Sequence, residues 1–203
     1  MTTPGYRALQ LLAAVVLVTL MAPSRGRPHQ PPQFNTERRE VRAPINNFTL
    51  IDQHAKPFEF KNLSGKVVLV SFSYTSCSDV CPLLTASARQ VQSGLGPRER
   101  HLVHLLTVTT DPEIDSPPIL TAYAKRYGID FANWSFLTGR EADLKKVWQN
   151  FGVGVKRKGR GLVDHTPLTA IVDRHQQVRY VYIGPSPEPK QMLNDVRALL
   201  AAR

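Results

Sequence analysis

Cysteine and methionine are scarce in this sequence of 203 residues, which holds two Cys and three Met. Two cysteines are too few for a disulfide-stapled mini-protein and for a four-cysteine zinc site. The methionines Met1, Met21 and Met192 do not form a methionine-rich metal box. A phosphate-binding glycine loop and a CxxCH haem motif are also missing, so nothing in the sequence indicates a nucleotide cofactor or haem.

Negative charge is scarce as well. Sixteen Asp and Glu stand against 26 Lys and Arg, for a net charge of +10. Such an excess suits an acidic partner, which can be nucleic acid, an anionic lipid surface or an acidic protein face, and charge alone does not choose among them. With 42% hydrophobic and 21% charged residues, the composition is typical of one globular domain plus a tail.

A long apolar run occurs near the N-terminus, at residues 8–22. At about 1.5 Å per residue it spans about 22 Å, which is short of the roughly 30 Å hydrocarbon core of a bilayer. We therefore predict that residues 1–26 are a signal peptide or an N-terminal membrane anchor. The expected location is the periplasm, the medium or the periplasmic face of the inner membrane, so we expect no nucleic-acid partner. No cysteine follows the run, which argues against a lipid anchor.

Residues 27–44 are rich in proline and mixed charge and are predicted to be an extended tether, with the folded domain at 45–203. Alternation and apolar runs then predict a series of strands and helices. The strands are 48–51 and 57–60 as a hairpin, 66–73, 101–109, 134–137, and 167–173 with 177–183 as a second hairpin; the helices are 80–93, 117–127, 141–151 and 190–202. This order predicts an α/β fold, with a central mixed sheet and helices on both faces.

Both cysteines, Cys77 and Cys81, lie where the first buried strand gives way to its helix. Such junctions form the carboxyl edge of an α/β sheet, where sites are common. Spaced i, i+4 in a first helical turn, their Cα atoms would be about 6 Å apart, close enough for a disulfide. The same spacing lets two thiolates bind one soft metal ion, and the helix N-terminus favours the thiolate form. A buried inert pair and a purely structural disulfide remain the alternatives.

Six histidines could supply a third ligand to a metal ion held by the two cysteines. Five have ordinary explanations: His29 in the tether, His54 and His175 in hairpin turns, and His101 and His104 on opposite faces of a strand. His165 differs, because it ends an irregular, glycine-rich, basic loop over 152–165 and directly precedes a strand. Two thiolates with one imidazole form a soft trigonal set that suits Cu(I). Zinc is the alternative, with Asp79 or Asp164 as a fourth ligand.

Three segments resemble the Sco (SenC) family of copper-binding assembly proteins of cytochrome c oxidase. The first is FSYTSCSDVCP at 72–82, the second TVTTDPEIDSPPIL at 107–120, and the third VDHTPLTAIVD at 163–173. They occur in the family's order behind a similar lead-in, FTLIDQHAKPF followed by GKVVLVSFSY, and the resemblance covers about 45–200. It departs from the family pattern at Ser73, where glycine is usual, and at Ser78, where proline is usual.

The resemblance implies a thioredoxin-like three-layer fold with an N-terminal β-hairpin extension. It places Cys77, Cys81 and His165 at the family's copper-ligand positions, for Cu(I), Cu(II) or both. Asp111 matches an acidic residue beside the site, with a turn cap before Pro112 as the alternative. The implied function is that of a metallochaperone, without turnover, that delivers copper to the dinuclear centre of oxidase subunit II or reduces its cysteines. Another copper-receiving protein, a copper donor and a thiol reductant are the further partners it implies.

A second hypothesis is an exported thiol–disulfide oxidoreductase, in which Cys77 attacks and Cys81 resolves. Thr166-Pro167 favours it, because oxidoreductases with a thioredoxin fold commonly carry a cis-proline opposite their cysteines. The CxxxC spacing, one residue wider than CxxC, counts against it. The basic stretch Lys156, Arg157, Lys158 and Arg160 beside His165 is interpreted either as a steering surface for an acidic partner or lipid, or as a solvated loop.

Overall fold

The computed structural model describes residues 35–202. The predicted signal or anchor at 1–26, the first part of the predicted tether and His29 lie outside these residues. Among the helices of the described part, none is long and apolar enough to cross a membrane.

The described chain forms one large and one small β-sheet with five α-helices. The strands are β1 (Glu37–Pro44), β2 (Thr49–Asp52), β3 (Pro57–Glu59), β4 (Val67–Ser73), β5 (Val103–Thr109), β6 (Trp134–Thr138), β7 (Val155–Gly159), β8 (Leu162–His165), β9 (Leu168–Val172) and β10 (Gln177–Ile183). The helices are α1 (Cys81–Gly94), α2 (Pro97–Leu102), α3 (Pro117–Arg126), α4 (Glu141–Asn150) and α5 (Pro189–Ala201). The eight-stranded sheet has the order β1-β10-β9-β4-β5-β6-β2-β3, and β7 pairs with β8 as a separate hairpin.

The large sheet separates two hydrophobic clusters, as alternation along β4 illustrates. Val68, Val70 and Phe72 belong to the cluster that includes the apolar side chains of α4. Val67 and Leu69 belong to the other cluster, with apolar side chains of α1, α3 and α5. Successive strand residues point to opposite faces, so a strand covered on both sides is a continuous apolar run. The predicted three-layer α/β architecture is confirmed.

Most predicted elements are confirmed to within one residue at each end, including both hairpins and the helices that became α1, α3, α4 and α5. The tether is the first exception, because residues 37–44 form β1, which pairs antiparallel with β10 from Glu37↔Ile183 to Pro44↔Gln177. The sheet therefore begins before the predicted domain start at residue 45. This edge strand carries charged side chains, which discourage pairing with a further strand. Because of these charges its sequence has no apolar pattern.

Two further predictions were wrong in part. The strand predicted over 101–109 begins only at Val103, because His101 and Leu102 end the short helix α2. Pro97 lies in the first turn of α2, and the Glu99 carboxylate accepts the Gly96 N–H at 2.7 Å. The irregular loop predicted over 152–165 contains the β7–β8 hairpin, whose turn uses Gly161 at φ +71°. Both elements are short and mostly exposed, so neither leaves a hydrophobic period to detect.

The sheet brings three chain segments to one edge. β4 and β5 run parallel in register, up to Ser73 opposite Thr109, so the loops that follow them leave the same edge. β9 runs antiparallel to β4, with Thr169 opposite Ser71, so the residues before β9 reach this edge as well. The cysteine loop (74–80), the β5–α3 loop (110–116) and the end of β8 are thereby neighbours.

Candidate functional site

The two cysteines lie at the start of α1, as predicted, and both are free thiols in the structure. Cys81 is the first residue of the helix and is fully buried, whereas Cys77 is half-buried in the preceding loop. Val80 occupies the N-cap position, and its side chain makes no capping hydrogen bond. Instead the Cys81 N–H donates to the Cys77 sulfur at 3.4 Å. Cys77 therefore satisfies an otherwise open donor at the helix N-terminus.

The cysteines differ in acidity. The pKa of Cys77 is lowered to about 5, first by a hydrogen bond from the Cys81 thiol and further by the backbone N–H groups of Cys81, Asp79 and Val80. The pKa of Cys81 is raised, first by this same hydrogen bond to Cys77 and next by burial. The pair thus holds one proton near neutral pH, with Cys77 as the thiolate and Cys81 as the thiol.

His165 ends β8 and presents one ring nitrogen to the cysteines. Its Nε2 lies 3.8 Å from the Cys81 sulfur, and its Nδ1 lies 3.1 Å from the Thr166 carbonyl oxygen. A carbonyl only accepts, so Nδ1 carries the proton and Nε2 presents its lone pair toward Cys81. Burial lowers the pKa of His165, which keeps the imidazole neutral near pH 7. Tyr74 packs edge-on against the ring, with centroids 5.9 Å apart.

The other candidate ligands stay away from this edge or face solvent. His54 and His175 are exposed in hairpin turns, as predicted. His104 is buried and bonded to the Ser135 hydroxyl at 3.0 Å, and burial lowers its pKa to about 4. Asp79 and Asp164 are exposed. Within residues 35–202 no three His, Cys, Asp or Glu side chains already converge around an ion position, and this holds for Cys77, Cys81 and His165 as well. The structure brings His165 to Cys81 and the Cys81 N–H to Cys77, without arranging the three as a formed metal site.

Asp111 is fully buried at the same edge. Its Oδ1 accepts a hydrogen bond from Arg157 Nη1 at 2.7 Å, and its Oδ2 has no hydrogen-bond partner. The turn that follows is closed by the Asp111 backbone carbonyl, which accepts from the N–H groups of Ile114 and Asp115. The alternative in which the Asp111 side chain caps this turn is therefore wrong. The carboxylate instead connects two separate segments, the β5–α3 loop and β7.

A family model described as SCO1/SenC matches residues 36–201. The chain belongs to the SCO1/SenC family. A family lipoprotein from Bacillus anthracis is 30% identical with a TM-score of 0.72, over 80% of this chain and 98% of that one. BsSco, described as a Sco-family cytochrome c oxidase assembly protein with a disulfide switch, is 27% identical with a TM-score of 0.70, over 81% and 97%. Copper-bound ScoI from Bradyrhizobium japonicum is 29% identical with a TM-score of 0.65, over 77% and 99%.

The SCO1/SenC fold of this chain is thus the thioredoxin-like fold that its sequence motifs indicated. The solved family includes members with copper bound and a member described by its role in cytochrome c oxidase assembly. Copper handling and oxidase assembly are therefore properties of the family to which this chain belongs.

Two residues at the candidate site of this SCO1/SenC chain were not predicted from its sequence. Asp115 is fully buried and accepts hydrogen bonds from the Thr75 N–H at 3.2 Å and from the hydroxyls of Thr75 and Thr109. Burial raises its pKa. Tyr74, which packs on His165, was missed as well. Only their positions in the sequence could have indicated a role at the site. Asp115 lies in the acidic turn that also contains Asp111, and Tyr74 directly follows β4.

The two serines that depart from the family's sequence pattern lie at the end of a strand and in a loop. Ser73 ends β4 as a buried residue and Ser78 is exposed in the cysteine loop. The Thr166–Pro167 peptide bond is trans, so the resemblance to oxidoreductases with a cis-proline does not extend to this bond.

Among the four cations beside His165, Arg157 is engaged with Asp111 and with Glu113 at 2.8 Å. The exposed cations of the hairpin that are not engaged in this way are therefore Lys156, Lys158 and Arg160, of which Lys158 lies 3.8 Å from Asp164.

Proposed function

We propose that this chain is an exported copper-binding protein that carries one copper ion as cargo and delivers it to the dinuclear copper centre of cytochrome c oxidase subunit II. Cys77, Cys81 and His165 are the proposed ligands. One observation carries the proposal: the lone pair of His165 Nε2 faces the Cys81 sulfur at 3.8 Å. That sulfur in turn shares a proton with the Cys77 thiolate.

The chemistry of this donor set fits a soft metal ion. Two sulfurs and a neutral imidazole suit Cu(I), and three ligands leave a side of the ion open for exchange with an acceptor. Cys81 holds a proton in the metal-free state, so loading releases that proton. The thiols must also be reduced before they bind Cu(I), which is why a thiol reductant belongs among the proposed partners.

Export is supported by the apolar run at residues 8–22 and by the lipoprotein character of a relative from Bacillus anthracis. We propose residues 1–26 as the signal or anchor, which would hold the domain at the periplasmic face of the membrane or release it there. An oxidase assembly role suits this compartment. The exposed cations Lys156, Lys158 and Arg160, beside His165, are the proposed steering surface for an acidic acceptor.

Anaerobic Cu(I) titration of the reduced protein with a competing chelator tests the ligand set. The wild type is expected to bind one equivalent. His165→Ala and Cys77→Ser are each expected to weaken binding by at least about tenfold, because each removes one of three ligands. His175→Ala, which removes an exposed histidine from the β9–β10 turn, is the matched control and should bind as the wild type does. Unchanged affinity in His165→Ala would refute the three-ligand site.

A thiol–disulfide oxidoreductase is the second candidate, and the asymmetry of the two cysteines favours it. Cys77 is half-exposed and is a thiolate near neutral pH, so it can attack a substrate disulfide and release one substrate thiolate. Buried Cys81 then gives its proton to the released substrate thiolate and attacks the Cys77 sulfur. The second substrate thiolate leaves, and two electrons have passed to the substrate. Rapid reduction of a test disulfide by a protein that binds copper weakly would favour this function over copper delivery.

A further inference from the structure

The β5–α3 loop is attached to both segments that carry the proposed ligands. Asp115 of this loop binds Thr75, two residues before Cys77 in the cysteine loop, through its N–H and its hydroxyl. Asp111 of the same loop binds Arg157 on β7, the partner strand of the one that carries His165. A single short loop therefore connects the cysteine side of the site with the histidine side.

The contact between Asp111 and Arg157 is a strong one by its geometry. The distance is 2.7 Å, Asp111 is fully buried, and the Arg157 side chain is 32% exposed. The same Nη1 also reaches Glu113 at 2.8 Å. Because Oδ2 of Asp111 has no hydrogen-bond partner, Arg157 is the main compensation for a buried negative charge. Such charge-assisted bonds are costly to break, since the buried partner is left uncompensated.

The β7–β8 hairpin has few other attachments to the domain. Val163 is its one buried residue and packs with Tyr74 and Cys81, while the partly buried Val155 contacts both this small cluster and the edge of the main core cluster. The Ser76 hydroxyl donates to the Gly161 carbonyl at 3.1 Å, in an exposed position. An exposed hydrogen bond and a small apolar contact hold a hairpin weakly, so its placement depends on the pair between Arg157 and the buried Asp111.

We propose that Arg157 is a positioning residue. Through Asp111 it holds the β7–β8 hairpin against the loop whose Asp115 holds the cysteine segment, and in this way it keeps His165 at its short distance from Cys81. The proposal rests on the proposed function only for its effect on copper binding. Its effect on the metal-free hairpin stands independently.

The test compares Arg157→Gln with Lys156→Gln, which removes the same charge from the neighbouring hairpin residue. Hydrogen–deuterium exchange of the metal-free protein reports the attachment of residues 155–165. Arg157→Gln is expected to accelerate exchange of the hairpin amides severalfold, whereas Lys156→Gln leaves it unchanged. Cu(I) affinity is expected to fall by about tenfold in Arg157→Gln, as is usual for groups that orient a ligand. In a His165→Ala background Arg157→Gln should cause no further loss.

Each result separates the alternatives. Wild-type hairpin exchange in Arg157→Gln would overturn the positioning role. An equal loss of affinity with and without His165 would overturn it too, because Arg157 would then act on copper without acting through His165. Faster hairpin exchange with undiminished copper binding in both Arg157→Gln and His165→Ala would support the attachment of the hairpin by Arg157 while refuting His165 as a ligand.

Discussion

Cys77 and Cys81 differ in protonation although they are only four positions apart. The hydrogen bond from the Cys81 thiol lowers the pKa of Cys77 to about 5, and the same bond raises the pKa of Cys81. Near neutral pH the metal-free site thus offers one thiolate, one thiol and one neutral imidazole. If the three are copper ligands as proposed, loading displaces one proton, and metal affinity is expected to rise with pH.

The reactivity of Cys77 with iodoacetamide should follow this protonation. The thiolate is the nucleophile, so the rate constant is expected to rise as pH increases through about 5 and to level off above it. Removal of the thiol hydrogen bond in Cys81→Ala should shift this midpoint upward, toward the ordinary cysteine value of about 8.5. The alkylation rate constant of Cys77 is measured by mass spectrometry at pH values from about 4 to about 9.

Cys81→Ser is the matched control for this shift, because serine keeps an O–H donor at the same position. Its midpoint should stay nearer that of the wild type than the midpoint of Cys81→Ala does. If both variants retain the wild-type midpoint, the acidity of Cys77 comes from the backbone N–H groups at the helix N-terminus, and the hydrogen bond from Cys81 is not its main cause.

At the scale of elements, β1 is the strand that the sequence pattern did not predict. It is charged along much of its length, but Arg38 reaches α5, where its Nε and Nη2 bind the Asp195 carboxylate at 2.7 and 2.9 Å. Asp195 also accepts a hydrogen bond from the Tyr182 hydroxyl on β10. The strand is therefore joined to the domain by side chains as well as by its ladder with β10.

The ion pair of β1 should contribute measurably to stability. Arg38→Gln is expected to lower the free energy of unfolding by about 2 kcal/mol, because it leaves a largely buried carboxylate without its cation. Arg39→Gln breaks the adjacent pair with Glu37, whose side chains are 55% and 58% exposed. That change should leave the free energy of unfolding nearly unchanged, because an ion pair between fully solvated groups contributes little. Urea unfolding midpoints at unchanged slope measure both. Equal midpoints for the two variants would mean that Arg38 adds nothing beyond a surface pair.

Most of the elements that the sequence predicted carry a regular burial pattern, and those it missed do not. The short β2–β3 hairpin is the exception, because the polar turn between its strands indicated it. β4 and β5 are buried on both faces and are therefore continuous apolar runs, while α1, α3, α4 and α5 show helical periods. β1, α2 and the β7–β8 hairpin are short or exposed, so no burial pattern marks them. The two proposed cysteine ligands were identifiable because cysteine is so rare here, and His165 because it ends a basic, glycine-rich loop directly before a strand. The pairing of Asp111 with Arg157, 46 positions apart, was not, because ion pairs between distant segments leave no local pattern.

The whole molecule carries a net charge of +10, and part of that excess lies beside the proposed site. Lys156, Lys158 and Arg160 are exposed on the β7–β8 hairpin, whereas Arg157 of the same segment is committed to Asp111. A cluster of exposed cations attracts an acidic acceptor over a distance of about 8 Å at physiological ionic strength. In the proposed function the hairpin combines two tasks, since β8 places the proposed ligand His165 and the solvent-facing cations are the proposed guide for the encounter.

Removal of these three cations should slow copper transfer without weakening copper binding. The triple variant Lys156→Gln, Lys158→Gln, Arg160→Gln is expected to load the purified copper domain of oxidase subunit II about tenfold more slowly at low salt, because charge steering acts on the association rate. The wild-type rate should fall toward that of the variant as salt increases. Stopped-flow transfer measures the rates, and chelator competition measures the affinities. A control variant, Arg42→Gln, Lys56→Gln, Arg98→Gln, removes three exposed cations from other elements. If both triple variants slow transfer equally, total charge guides the acceptor and the hairpin has no special part in it.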